Sequence, residues 1–170
     1  SAASDVYKRQ EADSTQTEKA FDSSKVIDGH MYVCESEDYE LYVKPSNLSI
    51  LLRDKKTGTL LRSTLEDEEA YVRSSQTPAF NRITSGVTIM PIKYDPKSES
   101  RSGMYDKTNS QASSRDAEIT YDKTTNGFTA HLNFNNKQND VSLKGLNIQF
   151  DVVVTLDDMG LHVSIPDDTI

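Results

Sequence analysis

The chain contains three histidines, whose imidazoles could act as bases or bind a metal near neutral pH. His30 stands at the entry to the first predicted strand, and His131 and His162 occupy polar positions of predicted strands at 128–134 and 161–165. No two of them have the close spacing of metal ligands, and no cluster of Cys or carboxylate residues completes a zinc site. The spacing therefore predicts ordinary surface histidines and no metal site.

Carboxylates allow two other kinds of chemistry. The acidic pairs Asp157-Asp158 and Asp167-Asp168 could bind calcium, but neither has the alternating Asp-x-Asp-x-Asp-Gly spacing of a calcium loop. Turn formation, in which Asp is common, explains both pairs better. A glycosidase needs two carboxylates flanking a sugar, but with 27 acidic residues the choice of any pair would be arbitrary. We therefore predict no catalytic residues, and without a glycine-rich phosphate loop we predict no cofactor.

Aromatic rings are the usual partners of sugar C–H faces, and this chain has no Trp. Three tyrosines are candidates for ligand binding: Tyr32 and Tyr42, which are offset from the apolar strand positions, and Tyr105 in a polar stretch. For Tyr32 and Tyr42 we favour packing against a second sheet or over a sheet edge. The single cysteine, Cys34, cannot form an internal disulfide and is predicted to be a small buried residue in a strand.

The composition excludes several classes of partner. The chain has 170 residues and a formal net charge of −8, which argues against nucleic acid and anionic membrane surfaces because both require clustered Lys and Arg. No apolar run approaches the eighteen residues of a membrane helix, so no membrane insertion is expected in this segment. An acidic surface is compatible with neutral ligands such as carbohydrate, but it does not select them.

The hydrophobic pattern has the period of β-strands. Residues 146–156 alternate over eleven positions, 161–165 continue after a turn, and 128–134 follow the turn dipeptide Asn126-Gly127. Residues 95–115 are polar and are predicted to lack strands. The chain therefore belongs to the all-β class, as an antiparallel β-sandwich.

The predicted organisation is a flexible N-terminal segment at 1–29 followed by a β-sandwich domain at 30–170. Residues 1–10 look like a translated adapter sequence, and we expect them to be non-native. A strand as long as 146–156, followed by a hairpin partner at the end of the sequence, leads us to expect a sandwich that is truncated at its C-terminus.

Three segments together resemble a known family. Residues 38–43 lead into Leu48-Ser49-Ile50-Leu51-Leu52-Arg53-Asp54-Lys55-Lys56-Thr57-Gly58 and Arg62-Ser63-Thr64, and 156–166 follow much later. This order resembles the N-terminal region of large bacterial proteins with domain of unknown function 5696. Those proteins are similar to glycoside hydrolases, with a galactose-mutarotase-like supersandwich before a TIM-type barrel. One departure is Leu61, which stands where the family has a Trp.

The resemblance implies a non-catalytic accessory β-sandwich of a secreted or cell-surface, glycoside-hydrolase-like protein. Its partner would be a C-terminal barrel domain of the same parent chain, and the parent itself could be an enzyme. Two alternatives stay open, a stand-alone carbohydrate- or cell-wall-binding module and a surface spacer domain.

Overall fold

The computed structural model describes residues 20–66, 77–89, 92–94, 105–107, 112–134 and 148–170. Within these ranges most residues lie in antiparallel β-strands and few lie in helices, which confirms the all-β prediction. Two larger sheets face one another across a shared core, so the architecture has the character of a sandwich.

The first sheet is a five-stranded meander in which every strand pairs with the next one along the chain. Its strands are β1 (Asp22–Ile27), β2 (His30–Glu35), β3 (Tyr39–Lys44), β4 (Ser49–Asp54) and β5 (Leu60–Arg62). Asp28 and Gly29 form the tight turn between β1 and β2 with φ angles of 48° and 75°. Two-residue hairpin turns favour such left-handed conformations because they match the twist of the strands.

Short elements follow the first sheet. A seven-residue helix, α1 (Thr77–Ile83), precedes β6 (Thr88–Ile89), which pairs with β9 (Ala112–Ser113), while β7 (Ile92–Tyr94) pairs with β8 (Tyr105–Lys107). The prediction that 95–115 lacks strands is therefore wrong for β8 and β9, because backbone pairing holds these strands without an alternating apolar pattern. In the ranges described, no helix has the length and apolar character needed to cross a bilayer.

The second sheet has four strands and carries the longest one. Its strands, in order, are β10 (Glu118–Thr124), β11 (Gly127–Asn133), β12 (Gln149–Asp157) and β13 (Gly160–Ser164). The alternation predicted for 146–156 is confirmed where the structure describes it. Its buried positions are Phe150, Val152, Val154 and Leu156.

The core lies between the two sheets. Leu41 and Val43 of β3 are fully buried with Phe128 of β11 and Val154 of β12. Burial of each such side chain stabilises the fold by about 2 kcal/mol relative to exposure. The core thus joins the two sheets into one packed unit.

The N-terminal boundary differs from the prediction. Residues 20–29 are not a flexible tail, because β1 pairs with β2 and the ring of Phe21 packs edge-on against Tyr121 and Phe128. The sequence conceals this strand because few of its side chains are apolar and its outer positions are exposed. Residues 1–19, including the adapter-like residues 1–10, lie outside the described ranges.

Candidate functional site

His131 lies between two carboxylates on the outward face of the second sheet. Its cross-strand neighbour on β12 is Asp151, whose Oδ1 is 2.7 Å from Nδ1 of the imidazole. On the other side, Asp122 of β10 places its Oδ2 3.1 Å from Nε2. Three adjacent strands therefore position a continuous Asp–His–Asp array.

The array favours a charged imidazole. Each ring nitrogen faces a carboxylate, which can only accept, so both nitrogens donate when the ring is protonated. Partial burial opposes that charge, but the hydrogen bonds to Asp151 and Asp122 outweigh it and raise the pKa of His131. In this state His131 positions its neighbours and is a poor general base, because neither ring nitrogen has a free lone pair.

A concave cavity of about 500 Å³ opens beside this array and is called here the His131 cavity. Its polar lining includes Thr120 of β10, Gln149 and Asp151 of β12, and Thr169. Leu132 and Phe150 also border it, although both side chains are buried in the core. The cavity is therefore a depression on the sheet surface with both polar and apolar lining.

Thr169 forms one wall of the cavity because the chain returns to β12 after β13 ends. The last pair between these strands joins Val153 and Ser164, so β13 does not reach Asp151. A 3-10 turn at Asp167–Thr169 brings the Thr169 hydroxyl to the Asp151 backbone, whose N–H donates to Oγ1 over 3.1 Å. The same hydroxyl donates to the carbonyl of Pro166 over 2.8 Å, which fixes the wall in place.

The prediction of a surface position is wrong for His30, which has no exposed surface. Its Nδ1 lies 3.0 Å from the Asp28 carbonyl and its Nε2 lies 2.9 Å from the Ser49 hydroxyl. That hydroxyl is in turn 2.6 Å from the hydroxyl of Thr64. The His–Ser contact resembles a base and its nucleophile, but Ser49 is also fully buried, so a substrate cannot reach it.

His162 is exposed, as predicted, and lies on β13 beside the turn that joins β12 to β13. Its Nε2 lies 3.1 Å from Oδ1 of Asp157, which also accepts hydrogen bonds from the N–H groups of Met159 and Gly160. Asp157 thus has the turn-forming role that the sequence indicates. Among the residues that the structure describes, no group of three or more His, Cys, Asp or Glu side chains is arranged to hold a metal ion.

Two of the tyrosine candidates, Tyr32 and Tyr42, are held in contacts with neighbouring side chains. Tyr42 is only 1% exposed, and its hydroxyl donates to Oε2 of Glu40 over 2.9 Å. Tyr32 meets the Tyr42 ring edge-on and carries the ammonium of Lys25 at 4.1 Å from its ring centroid. The side chain of Tyr105 lies outside the described residues. Cys34 is buried in the core, which confirms its predicted place.

Apart from His131, sequence reasoning did not single out the residues that line the His131 cavity. Thr120, Gln149 and Asp151 are simply the polar members of alternating strands, and such positions are ordinarily solvent-facing. The sequence around Thr169 shows no alternating pattern of polar and apolar residues. The only available signal was that polar positions on three consecutive strand segments share one sheet face.

Comparisons of the chain with protein-family models, with curated proteins and with solved structures found no match. The comparisons therefore assign no family. The case for a function rests on the contacts described above and on the sequence resemblance.

Proposed function

We propose that this chain is a non-catalytic accessory β-sandwich that packs against a further domain through the edge strand β13. The sequence resemblance supports a secreted or cell-surface, glycoside-hydrolase-like parent whose barrel domain would be that partner. The proposal rests mainly on one observation, the exposure of Val163 on a face that elsewhere is core.

Val163 lies directly opposite Val154, a core residue with no exposed surface. Directly paired residues project from the same face of a sheet, so Val163 lies on the core side. Val163 is nevertheless 56% exposed, and the next apolar residue of the alternating pattern, Ile165, is exposed as well. The apolar face of the second sheet thus extends beyond the part that the first sheet covers.

The backbone of β13 also favours contact with a further domain. As the last strand of its sheet, β13 has one side without a neighbouring strand in the described part of the chain. An edge strand with exposed apolar side chains is a template for further pairing. A partner strand with apolar residues on one face would satisfy both the backbone and the side chains.

A hydrophobic dye tests whether this surface is open. The isolated chain should bind anilinonaphthalene sulfonate, and Val163→Thr combined with Ile165→Thr should reduce the fluorescence at least about twofold, because exposed apolar patches carry such binding. Ser164→Thr is the matched control, since Ser164 lies on the opposite face of the same strand. Equal dye binding by both variants would contradict the proposal.

Partner contact and turnover provide two further tests. A barrel domain added to the chain should slow hydrogen exchange at the β13 amides, and the double Thr variant should abolish that protection. The purified chain should not hydrolyse aryl glycosides. Turnover by the chain alone would overturn the non-catalytic assignment.

A further inference from the structure

We propose that the His131 cavity binds a neutral, hydroxyl-rich ligand, either a sugar or a polyol. The cavity lies on the outward face of the second sheet, whereas Val163 lies on the core side. The proposal therefore concerns a separate surface and does not depend on the function proposed above.

The cavity offers donors and acceptors in alternation. Asp151 presents carboxylate oxygens, Gln149 presents an amide that both donates and accepts, and Thr120 presents a hydroxyl. A sugar hydroxyl also donates one hydrogen bond and accepts others, so adjacent hydroxyls can engage all three groups. An apolar ligand would leave these groups without the water that now solvates them.

The charges of the cavity exclude other ligand classes. Among the residues that the structure describes, no Lys or Arg lines the cavity, and the two carboxylates of Glu118 and Asp151 outnumber the one protonated imidazole of His131, so anions such as phosphate are repelled. The Asp151 carboxylate is already paired with the His131 imidazole, which offsets its attraction for an organic cation. A divalent metal would need about six oxygen ligands, and the two carboxylates of the lining do not supply that number. Neutral hydroxyl groups remain as the matching chemistry.

The lining is also held rigid, which reduces the cost of ordering on binding. His131 is fixed from both sides by Asp122 and Asp151, and its ring nitrogens are fully occupied. Thr169 is fixed by its two hydrogen bonds to the backbone. Phe150 is the one aromatic residue among the described lining residues, and its side chain is buried, so we expect a weak affinity of about 1 mM.

Titration of the ¹⁵N-labelled chain, followed by amide chemical shifts, tests this site. The neutral probes are cellobiose, maltose and mannitol, with glucuronate as the anionic probe and spermidine as the cationic probe. At least one neutral probe should shift the amides of Thr120, His131, Asp151 and Thr169, with saturation at a dissociation constant of about 1 mM. Glucuronate should bind more weakly than the neutral sugars.

Two variants and a matched control locate the binding. Thr120→Val should weaken it about fivefold through loss of one hydrogen bond, and Asp151→Asn about tenfold through loss of a charged acceptor. Thr129→Val is the control, because Thr129 is two residues from His131 on the same strand and does not line the cavity. Valine suits an exposed strand position, so the Thr120 variant should fold even if Asp151→Asn does not.

Three outcomes would overturn the proposal. The first is no chemical shift change with any neutral probe at about 50 mM, well above the expected dissociation constant. The second is equal weakening by Thr120→Val and Thr129→Val. The third is saturable binding of spermidine at these amides without binding of a neutral probe, which would identify a cation site instead.

Discussion

Nζ of Lys25 lies 2.7 Å from Oε1 of Glu40, so a cation on β1 meets a buried carboxylate on β3 across the intervening strand β2. Glu40 also accepts hydrogen bonds of 2.9 Å from Arg53 on β4 and from the hydroxyl of Tyr42. Three donors therefore surround a residue that is only 7% exposed. This contact ties β1 to the centre of the first sheet.

The first prediction is that Glu40→Gln destabilises the protein in a pH-dependent way. Burial alone would raise the pKa of Glu40, but hydrogen bonds from Lys25, Arg53 and Tyr42 lower it from 4.5 to about 2. The charged form thus stabilises the fold fully above pH 4.5, and this contribution is lost as the pH falls towards 2. Urea denaturation should show a loss of about 3 kcal/mol in the free energy of unfolding at pH 7, and about half of that at pH 3.

Glu35→Gln is the control for this effect. Glu35 pairs with Lys55 at 3.3 Å, but its side chain is half exposed. Exposed ion pairs contribute about 0.5 kcal/mol, so the variant should be nearly as stable as the wild type at both pH values. A pH-independent loss in Glu40→Gln would show that packing, and not the charge of Glu40, accounts for the effect.

The second prediction concerns Gly127, where a side chain would meet backbone. A Cβ on Gly127 would lie 1.9 Å from the carbonyl oxygen of Val154 on β12. Gly127→Ala must separate the two central strands of the second sheet and should cost about 3 kcal/mol of unfolding free energy. Gly58→Ala provides the comparison, since Gly58 has a φ of +73° but no atom near its Cβ position. That variant should cost about 1 kcal/mol, and equal losses in thermal denaturation would contradict the steric argument.

Gly127 also shows how far turn chemistry can be predicted. The dipeptide Asn126-Gly127 correctly predicts a hairpin, but Thr124 pairs with Gly127, so Thr125 and Asn126 are the turn residues. The glycine is required by the approach of β12, a strand that follows much later in the sequence. Local sequence thus identifies the hairpin, but it cannot show a contact made across the sheet.

The same distinction applies to the candidate site. Alternation places His131 and Asp151 on polar strand faces, yet their pairing depends on the register between β11 and β12. His30 is a second example, because it is buried and its imidazole contacts the hydroxyl of Ser49, a residue of another strand that the local sequence around His30 does not reveal. Side-chain periodicity therefore predicts the strands and which residues share a sheet face. The cavity depends in addition on the register between β11 and β12 and on the 3-10 turn that brings Thr169 back to β12.

The third prediction is that Asp151 keeps His131 protonated at pH values above the ordinary pKa of an imidazole. Because the folded-state pKa of His131 is raised above 6.5, its stabilising contribution is complete below pH 6.5 and is lost as the pH rises through the raised value. Asp151→Asn should lower the pKa of His131, as measured by NMR titration of the imidazole protons. Asp158→Asn, an exposed turn residue, should leave it unchanged. An unchanged pKa in Asp151→Asn would show that the 2.7 Å contact does not persist in solution.

The fourth prediction uses Cys34 as a reporter of unfolding. Burial raises the pKa of its thiol, and its side chain belongs to the core, so a thiol reagent must wait for the chain to open. Labelling with dithionitrobenzoate should be at least about a thousandfold slower in the native protein than in urea, as expected for a stability of several kcal/mol. Glu40→Gln should accelerate native labelling about a hundredfold at neutral pH if opening is global. Equal rates in the two native proteins would mean that Cys34 becomes exposed through a local opening that leaves the Glu40 contacts intact.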